Sequence, residues 1–276
     1  MRALQFVRTA TAKLVAIDVG SSGLRVAEHG GPVREHRFPA GPPYAVARGS
    51  VADSATFQRD LRSLVHGNRR RVQICVPSGT APETYERTLT AVREALGTST
   101  VVGVPSSLAA LRGVRREGPA LVVDIGAQLI EVSWVDQDGN IDGTAAPWGL
   151  DDLVAELEAA LVERHRIRLA PLRLGAFWAG STVTGRSVDS GAVKVVRVDR
   201  SDIARAVHPY LRAVVTLIDQ VMRPESKRER TRRDLLLVGG GAAVRDLRNY
   251  LEDMTGMTVV VPFNPARVVV AGLLAA

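Results

Sequence analysis

An apolar strand that ends in Asp-x-Gly and folds back on itself occurs twice in this chain. The first copy reads Leu14-Val15-Ala16-Ile17-Asp18-Val19-Gly20-Ser21-Ser22-Gly23, with a return strand at 24–27. The second reads Ala120-Leu121-Val122-Val123-Asp124-Ile125-Gly126-Ala127-Gln128, returning at 129–133. A third segment, Leu235-Leu236-Leu237-Val238-Gly239-Gly240-Gly241-Ala242-Ala243-Val244, carries a strand into three glycines and a helix. Taken singly, Asp-Gly closes ordinary hairpins and a glycine run is an ordinary turn. In this order, two carboxylate-tipped hairpins and a glycine turn at a helix N-terminus can clamp a nucleotide between two half-molecules.

The residue types suit that chemistry. Gly20, Ser21 and Ser22 in the first turn and Gly126 in the second leave backbone N–H groups open to phosphate oxygens. Asp18 and Asp124 would hold a hydrated Mg²⁺ through its waters, because that ion gives up water reluctantly. Gly239, Gly240 and Gly241 let ribose and α-phosphate approach a helix N-terminus, which favours anions.

Composition narrows the alternatives. A chain of 276 residues is long enough for two modest domains, each burying its own core. No apolar run approaches the roughly 20 residues of a membrane span. The start of the chain, broken by Arg8 and Lys13, lacks the pattern of a secretory signal. The single cysteine, Cys75, sits in an apolar run and is expected to be a packed thiol in a reducing cytosol. His29, His36, His66, His165 and His208 have no metal-ligand spacing, and no P-loop or Ser-His-Asp order is present. Of 36 basic residues only Lys13, Lys194 and Lys227 are lysine, and the net charge is +7. That charge permits attraction to anionic surfaces. The basic runs, Arg69-Arg70-Arg71 and 227–233, are short and carry no aromatics on which bases could stack, which argues against nucleic acid.

Strands are expected near 13–19, 24–29, 72–76, 100–104, 120–124, 129–135, 235–238 and 258–261. Helices are expected near 54–66, 82–96, 151–164, 200–222 and 243–255, with a last one near 265–275. The fold class is therefore α/β with mixed sheets, opening on an antiparallel pair.

With these motifs in place, the chain resembles the actin superfamily, and within it the bacterial MreB branch. Val72-Gln73-Ile74-Cys75-Val76-Pro77-Ser78-Gly79 looks like the family's strand and Val-Pro-Ser-Gly turn, and 83–96 like the helix after it. Trp148-Gly149-Leu150-Asp151-Asp152-Leu153 stands where the family enters its next helix; 247–261 and 265–276 are similar to its closing segments. The resemblance implies an actin-like (ribonuclease H-like) fold with a nucleotide cleft. Its parts would be a basic and apolar tail at 1–13, domain I at 14–119, domain II at 120–262, and a C-terminal helix at 263–276 returning to domain I. The small subdomain IIB would fall at about 166–198. Subdomain IB is expected to be missing near 39–43, where only Pro39-Ala40-Gly41-Pro42-Pro43 joins Phe38 to Tyr44.

The chain also departs from the family. Relatives read Asp-x-Gly-Gly-Gly-Thr in the second hairpin; here Gly126 is followed by Ala127-Gln128-Leu129, so two phosphate-approach glycines and the water-orienting threonine are lost. Where relatives carry a catalytic Glu-Pro before an alanine-rich helix, this chain has Val104-Pro105-Ser106-Ser107-Leu108-Ala109-Ala110. The family's contacts to adenosine would fall in 173–181, which holds neither the acid nor the base. No catalytic residue is therefore expected, Ser106 and Leu129 standing at the positions that matter, and any binding of ATP with Mg²⁺ should be weak.

The expected function is an MreB-like scaffold of cell-shape or wall-synthesis machinery. It would be cytoplasmic or peripheral at the inner face of the cell membrane. Its partners would be itself, a full-length MreB relative, or morphogenesis proteins, with membrane contact through residues 1–8. Two alternatives stay open: an active ATPase or phosphotransferase of the same fold, and a non-polymerising module that binds a partner protein.

Overall fold

A computed structural model describes residues 13–39, 42–66, 70–78, 80–98, 100–169, 182–222, 234–244 and 247–275. The first half contains β1 (Lys13–Gly20), β2 (Gly23–Glu28), β3 (Arg34–Arg37), β4 (Val46–Ala47), β5 (Ser50–Val51), α1 (Ser54–Leu64), β6 (Arg70–Val76), α2 (Pro82–Leu96), β7 (Val101–Pro105) and α3 (Ser106–Gly113). The second half contains β8 (Ala120–Ile125), β9 (Ile130–Val135), β10 (Ile141–Ala146), α4 (Leu150–His165), β11 (Ile167–Leu169), β12 (Thr182–Ser187), β13 (Val193–Arg197), α5 (Arg200–Val221), β14 (Asp234–Val238), α6 (Leu247–Thr255), β15 (Thr258–Val260) and α7 (Val268–Leu274).

The two halves repeat one topology. One five-stranded sheet has the order β3-β2-β1-β6-β7 and the other β10-β9-β8-β14-β15. In each, an antiparallel hairpin and its edge strand flank a parallel pair, the second pair being β8 against β14. The central strands are apolar on both faces, as strands covered by helices on each side must be. Leu121, Val122, Val123 and Ile125 of β8 and every residue of β9 are buried. β11, β12 and β13 form a separate three-stranded sheet whose outer face leaves Val193 and Val195 exposed.

Helix ends follow local chemistry. The Asp53 side chain accepts from the N–H groups of Ala55 and Thr56 and so caps α1. Pro82 opens α2, and Gly97 closes it in the left-handed conformation.

α3 and α7 lie between the sheets and join the halves. Their shared core unites Ala16, Cys75 and Val104 with Val122, Leu236 and Val238. The two helices touch backbone to backbone, because a Cβ on Gly272 would stand 1.7 Å from the Ala109 carbonyl oxygen.

Several elements differ from expectation. The edge strands β3 and β10 were not anticipated, since Arg-Glu-His-Arg and Ile-Asp-Gly-Thr-Ala-Ala carry no apolar alternation. The helix expected at 243–255 is a 3₁₀ turn at Gly240–Ala243 followed by α6, and α7 is shorter than 265–275. Between β3 and β4 lie only residues 38–45. The tail at 1–12, the run at 227–233 and the segment 173–181 lie outside the described residues.

Candidate functional site

Strand register builds the site. Asp18 sits directly across from Arg25 in the first hairpin, and Arg25 directly across from Glu35 in β3. Side chains opposite one another on paired strands share a face. Arg25 Nη1 accordingly donates to Asp18 Oδ2 at 3.0 Å, and its Nε stands 3.7 Å from Glu35 Oε1. Glu35 in turn accepts from Arg267 Nε at 2.7 Å, which links the row to the approach of α7. In the second hairpin the same register sets Asp124 across from Glu131. The two hairpins are alike in backbone and opposite in charge at the residue facing the aspartate.

One cavity of about 520 Å³ opens between the halves. Asp18, Gly20, Ser21, Ser22, Asp124, Gly126, Gly239 and Gly240 all line it, so the structure brings eight of the nine expected residues to one place. Gly241 is buried instead, with Ile125 packed where its Cβ would be. Gly239 is required by geometry. Its φ is +82°, and a Cβ there would meet Asp124 Oδ1 and the Ile125 carbonyl oxygen at 2.3 and 2.5 Å.

The expected catalytic positions also line the cavity, as Ser106 and Leu129. The segment 104–110 holds no carboxylate, but one reaches Ser106 from elsewhere in the chain. Glu131 reaches it from β9, accepting from Ser106 Oγ at 2.5 Å, Ser78 N at 2.9 Å and Ser133 Oγ at 3.3 Å. Ser78 and Ser106 belong to the first half and Glu131 to the second, so the carboxylate ties the halves together beneath the cleft. Its oxygens are committed to three donors. That is the environment of a structural anchor more than of a free base.

Gln128 is not among the residues that line the cavity; its side chain accepts from Arg48 N at 3.3 Å and donates to Asp151 Oδ2 at 3.2 Å. Leu129 packs against Gly49, so the turn after Gly126 bridges the halves a second time, at the rim. Ala127 remains on the cavity wall.

Burial raises the carboxyls of Asp18, Asp124 and Glu131 above their usual range. For Asp124, burial and the neighbouring Glu131 and Asp18 charges push it up to about 7. Cys75, on the same wall, is raised well above an ordinary thiol by burial and by those carboxylates, which makes it a packing residue and a poor nucleophile.

These side chains offer a magnesium ion no cluster of direct ligands. Among the described residues no three His, Cys, Asp or Glu side chains are grouped to hold a metal. One oxygen of Asp18 is already held by the Arg25 guanidinium. Arg25 and Glu131 escaped sequence reading because a charged residue on a strand looks solvent-facing. Counting back across each hairpin from its aspartate would have found both.

Residues 46–276 match the MreB/Mbl protein family. The cell shape-determining protein MreB of Escherichia coli (strain K12) is 25% identical over 251 residues, spanning 81% of this chain and 72% of that protein. Its counterpart in Pasteurella multocida (strain Pm70) is 23% identical over 224 residues, spanning 73% and 63%. Among solved structures, MreB5 of Spiroplasma citri bound to ADP superposes with a TM-score of 0.82 at 16% identity, covering 95% of each chain. The MamK double helical filament superposes with a TM-score of 0.76 at 15% identity, covering 95% of this chain and 97% of that one.

Proposed function

Because the chain belongs to the MreB/Mbl family, we propose that this actin homologue is a cytoskeletal scaffold of cell-shape or cell-wall morphogenesis whose cleft binds nucleotide weakly and does not hydrolyse it. The single observation that carries the second half is the wall of the cavity. It presents Leu129 and Ser106 where a water-orienting and a polarising group would stand, and the nearest carboxylate, Glu131, is held by three donors. Losing a positioned base or orienting group typically lowers turnover by about 10²–10⁴-fold.

Self-association is the first partner proposed, supported by the likeness to MamK in its filament. A full-length MreB relative or a wall-synthesis protein is the second. The brief link between β3 and β4 leaves no room for a folded insertion, so a lobe on one face is replaced by a short crossover. A place in the cytoplasm, with peripheral membrane contact through residues 1–8, belongs to the same reading.

The deciding experiment is Mg-ATP turnover followed by sedimentation of the same sample. Turnover at the background rate with pelleting of the protein supports the proposal. Sustained turnover refutes the inactive cleft, and a protein that stays in the supernatant alone and with an MreB relative refutes the scaffold.

One observation favours the active-ATPase alternative: a carboxylate does stand at Ser106. If Glu131 polarises water, Glu131→Gln abolishes a measurable turnover; if it only ties the halves, the variant loses thermal stability and there is no turnover to lose.

A further inference from the structure

We infer that the cleft engages the phosphate chain of a nucleoside di- or triphosphate without a divalent cation, the Arg25 guanidinium supplying the positive charge in its place. The inference rests on reading the cleft as a nucleotide site and specifies what that site needs.

Arg25 is placed by the fold. Three neighbouring strands set Asp18, Arg25 and Glu35 in one row, and the 3.0 Å bond to Asp18 fixes the guanidinium at the tip of the first hairpin. There it lines the same cavity as Ser21 and Ser22 of the adjoining turn. Glu35 is a weaker second partner, 3.7 Å from the Arg25 Nε, because its carboxylate accepts from Arg267 at 2.7 Å. A guanidinium has five N–H donors, and among the described residues Arg25 makes one side-chain hydrogen bond, to Asp18. Its remaining donors form a planar fork that matches a phosphate.

Magnesium would compete for the same ground. A hydrated ion slung from Asp18 through water would have to share that carboxylate with Arg25, which holds one of its oxygens at 3.0 Å, and would sit beside a fixed positive charge. Glu131 does not restore the balance, because it accepts from Ser78, Ser106 and Ser133, and a single carboxylate on the cavity wall, Asp124, then remains to hold the ion. The second hairpin shows that the cation is specific to the first, since the residue in the equivalent register there is acidic.

The test is binding of a fluorescent ADP analogue to the full chain, once with Mg²⁺ present and once in EDTA. The Kd is expected to agree within about twofold between the two buffers. Arg25→Ala should weaken binding in EDTA by roughly tenfold or more, the scale of a lost charge-assisted hydrogen bond. Arg25→Lys, which keeps the charge and loses the fork, should fall between. Because Arg25→Ala strands a buried aspartate, the double variant Asp18→Asn/Arg25→Ala, with its thermal melting curve, separates loss of binding from loss of fold. Binding that vanishes in EDTA, or that is indifferent to Arg25 in EDTA, overturns the inference. No binding in either buffer overturns it together with the nucleotide reading, while sedimentation of the same protein reports on the scaffold separately.

Discussion

Burial among Glu131 and Asp18 gives the Asp124 carboxyl a titration near 7, against 3.8 for an ordinary aspartate. The folded chain therefore holds this proton more tightly than the unfolded chain. Its stabilising contribution is complete below about pH 3.8, declines as pH rises, and is gone above about pH 7. Asp124→Asn keeps the shape and removes the titration. Its melting temperature should match the wild type near the acid end and exceed it increasingly toward about pH 8, by at most about 4 kcal/mol in stability. Parallel melting-versus-pH curves for the two proteins would show that Asp124 is not held in its neutral form. At Gly239 the expectation is a loss. A methyl group would collide with Asp124 and Ile125 on a backbone at φ +82°, so Gly239→Ala should cost about 2–4 kcal/mol by chemical denaturation. Both aspartates and the glycine were legible in the sequence because their residue types are unusual at strand ends. Arg25 and Glu131 were not, since only register reveals that each faces an aspartate.

Among the elements, the apolar central strands and the capped helices α1 and α2 were readable, whereas β3 and β10 were not. A sheet edge with a solvated face needs neither alternation nor β-branched residues, so those strands exist because a neighbour offers a ladder. α3 and α7 depend on small residues in another way. Gly113 and Gly272 let the backbones meet, and a Cβ on Gly113 would stand 2.2 Å from the Val268 carbonyl oxygen. Gly272→Ala should push the helices apart and lower stability by at least about 2 kcal/mol, because these helices are also the joint between the halves. A denaturation midpoint within error of wild type would refute the backbone contact. The turn at 126–129 makes a further prediction. Gln128→Ala removes the link between Arg48 and Asp151 at the rim, and limited proteolysis should then cut faster near residues 42–50.

On the scale of the whole molecule, two identically wound sheets are joined by α3 and α7, by the Glu131 anchor below and by the Gln128 bridge above. Because contacts at both ends of the cleft cross between the halves, thermal unfolding should be a single cooperative transition. Calorimetry resolving two transitions would show that the halves melt independently.

The rim bridge has one more consequence. In a protein whose halves are drawn together by a dissociable ligand, closure follows the supply of that ligand. Here part of the closure is written into the covalent chain, at an effective concentration that no metabolic change dilutes. If the cleft binds nucleotide as weakly as proposed, such a molecule should keep its posture through swings in cellular energy charge. Were the proposed assemblies to be dismantled, the signal would then have to come from outside the cleft.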